Sequence, residues 1–186
     1  MEGMGTMRWS PGWVIALGIS AVLSGCGSAI PAGTASSMSV RPPNGTRTPA
    51  RESAAVVNAY LRAIAAFVHA EKAMDPNDPE LLATMTGVEL STVKQNLIID
   101  RAGGLLARGD ITPSDPHVTS LDAQSSVVRD CAFSALLLYD GKTGQPAPGN
   151  AGGPQKVGVT ATFTYVSGTW KESLVDGRFG TCPLGY

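Results

Sequence analysis

The sequence predicts an α+β domain, and three observations carry that reading. Apolar residues recur at three- and four-residue steps between Ser53 and Leu97, then alternate with a period of two beyond Gly103-Gly104. Those two periods belong to helix and to strand. Helices grouped ahead of strands, rather than interleaved with them, give the α+β order. A chain of 186 residues, 43% of them hydrophobic, is long enough to bury one core of ordinary size even after a leader and a linker are subtracted.

The elements follow in order. Val57, Tyr60, Leu61, Ile64, Phe67 and Val68 draw an apolar stripe from Ser53 to about Met74, which predicts an amphipathic helix packed on a sheet. Asp75-Pro76 stops it. Asp78-Pro79-Glu80 restarts a short helix with an N-cap aspartate and a proline at the first helical position, ending near Gly87. Leu90, Val93 and Leu97 continue helical spacing until Gly103-Gly104 breaks it. Leu105 to Leu121 supplies a broken strand, bent by Pro113 and Pro116. A strand from about Ser125 to Tyr139 leads through a Gly- and Pro-rich loop, Asp140 to Gln155, into the clearest strand of the chain. There Val157, Val159, Ala161, Phe163 and Tyr165 alternate with Gly158, Thr160, Thr162 and Thr164, leaving one face apolar and the other largely hydroxylated. Val166-Ser167-Gly168-Thr169 reads as a tight turn into a last strand from Trp170 to about Val175. Trp170 is expected to pack against the opening helix.

Ahead of this domain lies a leader. Arg8, an apolar run from Trp13 to Leu23 and the sequence Leu23-Ser24-Gly25-Cys26 match a bacterial lipoprotein signal. The run is interrupted by Gly18 and Ser20 and falls short of the roughly 20 apolar residues that span a bilayer. A transmembrane anchor and an ordinary secretory signal are the competing readings. On the lipoprotein reading residues 1–25 are removed and Cys26 carries the lipid. Several acyl chains such as palmitate then hold the protein stably on the extracytoplasmic face of the cell membrane. Residues 26–50 are rich in Gly, Ala, Ser, Thr and Pro and show no apolar period, so they are read as a flexible tether. A coil of about 24 residues holds the domain, residues 51–186, roughly 25 to 30 Å from its lipid.

Cysteine arithmetic agrees with export. Three cysteines would leave a spare thiol, but lipidation of Cys26 leaves Cys131 and Cys182 to pair in an oxidising compartment. Two buried free thiols are the other possibility. No Cys-x-x-Cys spacing occurs, and His69 and His117 lie far from both cysteines in sequence, so no metal is expected. The formal net charge of −1 offers no basic surface for nucleic acid or anionic headgroups. Phosphate loops, dinucleotide fingerprints and nucleophile elbows are absent from the sequence, and no cofactor is expected.

From Ser53 onward the chain resembles the nuclear transport factor 2-like superfamily, whose fold is shared with polyketide cyclases and ketosteroid isomerases. More narrowly, it resembles exported actinobacterial lipoproteins of that superfamily. The motifs are Ala59-Tyr60-Leu61-Arg62-Ala63, Met74-Asp75-Pro76, Val128-Arg129-Asp130-Cys131, Leu138-Tyr139-Asp140, Gly168-Thr169-Trp170-Lys171 and Gly180-Thr181-Cys182. The resemblance covers about residues 52 to 182. It implies a cone in which helices pack on a curved antiparallel sheet of about four strands, with a pocket at the open end.

Such cones, where they are enzymes, use a carboxylate or a His-Asp pair as general acid and base, with burial moving the pKa toward neutrality. Asp130 and Asp100 are the candidate bases here and Tyr139 the candidate oxyanion donor. Each also has a plainer role: Asp130 as a partner of backbone or of Arg129, Asp100 in an ion pair with Arg101, and Tyr139 at a strand rim. His69 and His117 have no partner in sequence and read as surface or loop residues. No residue is assigned as catalytic. The favoured reading is a non-enzymatic binding module of the envelope that takes a protein partner or a small apolar ligand, and it expects a pocket without a buried, unpaired acid. The alternative is an isomerase- or cyclase-like enzyme acting on a small apolar substrate, with Asp130 or Asp100 pointing into the cone.

Overall fold

A long helix opens the described residues and starts earlier than its apolar stripe suggests. The computed structural model describes residues 48–148, 153–180 and 182, all within one compact unit, Thr46–Tyr186. The leader, Cys26 and nearly all of the tether lie outside the described residues. Helix α1, Pro49–Ala73, starts behind extended Thr48 with a proline in its first turn and Glu52 close to its N-terminus. Its end is set by Met74, whose left-handed backbone (φ 49°) turns the chain at the predicted Asp75-Pro76 stop.

The buried face of α1 differs from the predicted stripe. Val56, Ala59, Tyr60, Ala63, Ala66 and Ala70 are buried, Ile64 and Phe67 are partly buried, and Leu61 is exposed. Alanines at this spacing let the helix axis approach its neighbours closely, and the larger residues flank the contact. By length and composition α1 could cross a bilayer, but this apolar face packs within the domain as a core helix does. Helix α2, Pro79–Thr84, is capped as its sequence demands: Asp78 Oδ1 accepts from the Glu80 and Leu81 amides at 2.7 and 3.3 Å. Helix α3, Gly87–Ala102, buries Glu89, Val93 and Leu97 and stops at Gly103.

Among the described residues seven strands follow: β1 Leu105–Arg108, β2 Ile111–Thr112, β3 His117–Leu121, β4 Ser125–Ser134, β5 Leu137–Asp140, β6 Gln155–Val166 and β7 Thr169–Phe179. The main antiparallel sheet runs β2-β4-β6-β7, and β3 shares the edge of β4 taken by β2, so it is four strands wide. This matches the expected sheet and confirms the α+β class. The predicted strand from Ser125 to Tyr139 is in fact two, because β5 leaves the main sheet to pair with β1. The break falls at Ala135, whose N–H donates to the Asp110 carbonyl at 2.8 Å. Gly109 crosses there so tightly that a Cβ would lie 1.9 Å from the Ala135 carbonyl oxygen, and its φ of 94° also calls for glycine.

Strands β6 and β7 are joined at Ser167 (φ 50°) and Gly168 (φ 89°), two consecutive left-handed residues as in a type I′ hairpin turn. One register shift lies between Thr162 and Phe163, opposite Leu174 and Glu172, so Ser173 is the extra residue that bends β7. On the concave face, Val56, Ala59 and Tyr60 of α1 pack with Val128, Ala161, Phe163 and Trp170. A second cluster joins the C-terminal half of α1 to α2, α3 and β1 through Ala66, Ala70, Leu81, Val93 and Leu97.

Candidate functional site

Strand parity sends alternate residues of β4, from Ser126 to Ser134, into the concave face, and Asp130 is the one acid among them. It is fully buried and accepts three hydrogen bonds: from Tyr60 Oη at 3.0 Å and from the Ser114 and Asp115 amides at 3.2 and 2.8 Å. Tyr60 is itself wedged edge-on against Phe163, with ring centroids 6.4 Å apart. Asp130 therefore fastens α1 and the Pro113–Pro116 segment to the sheet. Both of its oxygens accept from donors within the domain. The expected backbone bonding is present, while Arg129 points to the opposite, exposed side.

The other candidates are not brought to Asp130. Asp100 is half-buried on α3, where burial raises its pKa. Tyr139 lies on β5 in the small two-stranded sheet, and the Arg108 guanidinium stacks 4.9 Å from its ring centre. His69 Nδ1 sits 2.6 Å from Asp78 Oδ2 with most of its ring in solvent. His117 Nδ1 lies 3.0 Å from the Asp115 carbonyl oxygen, and the residue pairs in register with outward-facing Arg129. Among the described residues no group of three or more His, Cys, Asp or Glu side chains could hold a metal ion. Trp170 packs on the opening helix as expected and donates from Nε1 to Glu52 Oε2 at 3.2 Å.

Three glutamates that the sequence does not single out have carboxyls whose pKa is raised by burial. Glu172 of β7 is 4% exposed, and burial, reinforced by the charge of Glu89, pushes its pKa to about 8. Glu89, in the first turn of α3, is also raised by burial, an effect partly offset by the Val175 amide donating to its Oε2 at 3.0 Å. Glu71, near the end of α1, reaches about 7 through burial and then through Asp100. The sequence leads to the expectation of a pocket without a buried, unpaired acid; Glu172 is a buried acid of the interior and does not line the open groove beside α1. The available signal was parity: Glu172 stands two residues beyond Trp170 on the same face, and Glu71 continues the line Ala63, Phe67 along α1.

An open groove lies elsewhere, between the N-terminal half of α1 and the β6–β7 turn. It measures about 360 Å³; Glu52, Asn58 and Arg62 form one wall, and Tyr165, Gly168 and Trp170 form the other. Tyr165 meets Trp170 edge-on with centroids 5.1 Å apart, giving the groove an aromatic floor. Neither Glu89 nor Glu172 lines it.

Cys131 and Cys182 lie within disulfide distance, their Cα atoms 5.4 Å apart. Cys131 faces away from the concave side, in a row whose next residues across the sheet are Gly158 and Arg178. Buried Gly158 carries no side chain to obstruct that row.

No protein-family model and no curated protein matches the sequence. Solved structures do. The chain is similar to the intermembrane space region of the chloroplast protein ARC6, with 15% identity and a TM-score of 0.53 over 72% of this chain and 99% of that one. It is also similar to a ketosteroid isomerase-like protein from Erwinia carotovora atroseptica, with 15% identity and a TM-score of 0.47 over 70% of this chain and 97% of that one. A protein of unknown function with a cystatin-like fold from Nostoc punctiforme gives 12% identity and a TM-score of 0.41 over 74% and 97%. At these identities the likeness concerns architecture alone: an α+β domain in which an N-terminal helix packs on an antiparallel sheet.

Proposed function

We propose that the chain is a lipid-anchored, extracytoplasmic binding module of the cell envelope that docks a protein segment or small apolar ligand and catalyses no reaction. The observation that carries this reading is the filled concave face. Tyr60, Phe163, Val56 and Val128 occupy it with no exposed surface, and its central acid is held by three donors. The groove of Asn58, Arg62, Tyr165 and Trp170 supplies instead an outer surface where aromatic rings lie beside a guanidinium, a combination enriched at binding sites. The lipobox at Cys26 supports the address, and the occurrence of this fold in an intermembrane space region accords with it.

The test is photo-crosslinking in intact cells from a reactive residue placed at Asn58. A defined adduct that disappears in Arg62→Glu is expected, and no adduct at this position would refute groove docking. Cys26→Ser should release the protein from membranes; retention there would refute the lipid anchor.

One observation favours a second reading. A buried carboxyl with a pKa near 8 is suited to proton transfer at neutral pH, so an isomerase-like activity would use Glu172 rather than Asp130 or Asp100. Turnover of a small enolisable ketone, abolished by Glu172→Gln, would support it; absence of turnover would end it.

A further inference from the structure

Helix α3 is bracketed by acids. At its first turn buried Glu89 reaches the Val175 amide of β7, the strand that carries buried Glu172, and the charge of Glu89 acts on Glu172; in its last turn the charge of Asp100 acts on buried Glu71 of α1. Strand β7 is the edge of the main sheet, where unpaired backbone groups invite association with another strand. The entry to α3 covers that edge. Met85 bridges Glu172 in parallel fashion, the Thr86 N–H donates to the Glu172 carbonyl at 2.8 Å, and the Glu89 carboxyl stands in for the missing strand by accepting the Val175 N–H at 3.0 Å. The cover thus depends on a buried residue whose charge, when present, acts against that of a second buried acid.

Among the described residues no ion pair joins a cation to any of these four acids. Lys72 of α1 is held by Asp110 at 2.6 Å, and His69 by Asp78 at the same distance. Lys171 of β7 donates to the Leu82 carbonyl at 2.8 Å, and Arg178 pairs with Asp176 at 3.2 Å. Arg108 of β1 stacks on Tyr139. Of the remaining charged residues, Glu80 of α2 is exposed, and on α3 itself Lys94 and Arg101 form no ion pair among the described residues. Glu71, Glu89 and Glu172 are buried and Asp100 is half-buried, and with no paired cation among the described residues a proton is the means of relieving each pair.

We propose that α3 is a proton-operated latch, seated on the edge of β7 while its two acid pairs hold protons and released as they ionise. The inference does not depend on the function proposed above. In the seated state Glu172 and Glu71 bind protons more tightly than a solvated glutamate does. Seating is therefore fully favoured below the ordinary glutamate pKa and is lost as pH rises through about 7 and then about 8. Release would uncover the β7 edge together with Met85, Val93 and Leu97, which α3 and its entry now bury.

Hydrogen exchange on the full chain, corrected for intrinsic rates, tests this between pH 5.5 and 8.5. The opening constant of α3 amides should rise roughly tenfold per pH unit for each proton released, while α1 amides from Val56 to Ala66 keep their protection. In Glu172→Gln that rise should shrink at the N-terminal end of α3, and in Glu71→Gln at its C-terminal end. Equal pH dependence in α1 and α3, or a rise unchanged in both variants, would overturn the latch. Should one variant fail to fold, the wild-type profile and the other variant still decide.

Discussion

Asp130 and Glu172 project from the same concave face of one sheet, on strands separated only by β6, and both are closed off from solvent. Their surroundings are opposite. Asp130 accepts from one hydroxyl and two backbone amides, whereas Glu172 confronts Glu89 and is raised by burial and by that neighbour. Burial alone thus does not assign a role to an acid. Donors convert one into a structural fastener, while burial, reinforced by a like charge, raises the pKa of the other.

The largest expected effect comes from breaking the satisfied side. Asp130→Ala strands the Tyr60 hydroxyl and the Ser114 and Asp115 amides without an acceptor and should cost about 3 to 5 kcal/mol, read by denaturant unfolding. Glu172→Gln should act in the opposite direction. At pH 8.5 it removes a charge that burial disfavours and gains on the order of 2 kcal/mol, while at pH 5 the wild-type carboxyl is already neutral and the melting temperatures should converge. A melting temperature lowered equally at both pH values would erase the contrast between the two acids. Tyr60→Phe removes one of the three donors and should cost about 1.5 kcal/mol. The smallest effect belongs to Arg62→Ala on the exposed groove wall, within about 0.5 kcal/mol of wild type, so loss of partner capture there would report binding rather than folding.

Much of this architecture is legible in the chain because local chemistry dictates it. Asp78-Pro79 must start a helix, Gly103 ends one, the β6 alternation can only be a half-buried strand, and Ser167-Gly168 supplies the positive φ of its hairpin. The departure of β5 toward β1 is not local. Leu137 to Tyr139 look like a continuation of β4, and only the approach of Gly109 to Ala135 shows why the chain turns away. The helix stripe shifts for a related reason: alanines weigh little in a hydrophobic pattern, yet they allow the closest approach. At the site, the inward parity of Asp130 is readable, but its amide donors lie 15 and 16 residues earlier. Glu172 is hidden by the habit of reading a charge in an edge strand as solvated, when its spacing from Trp170 places it inside.

The Cys131 and Cys182 pairing has a consequence for the order of events during biogenesis. One partner sits on β4 and the other follows β7, so in the native register the two thiols are brought together across β6 once β4, β6 and β7 have aligned. Such a rivet cannot steer the search for the native topology; it guards against escape once that topology has been found.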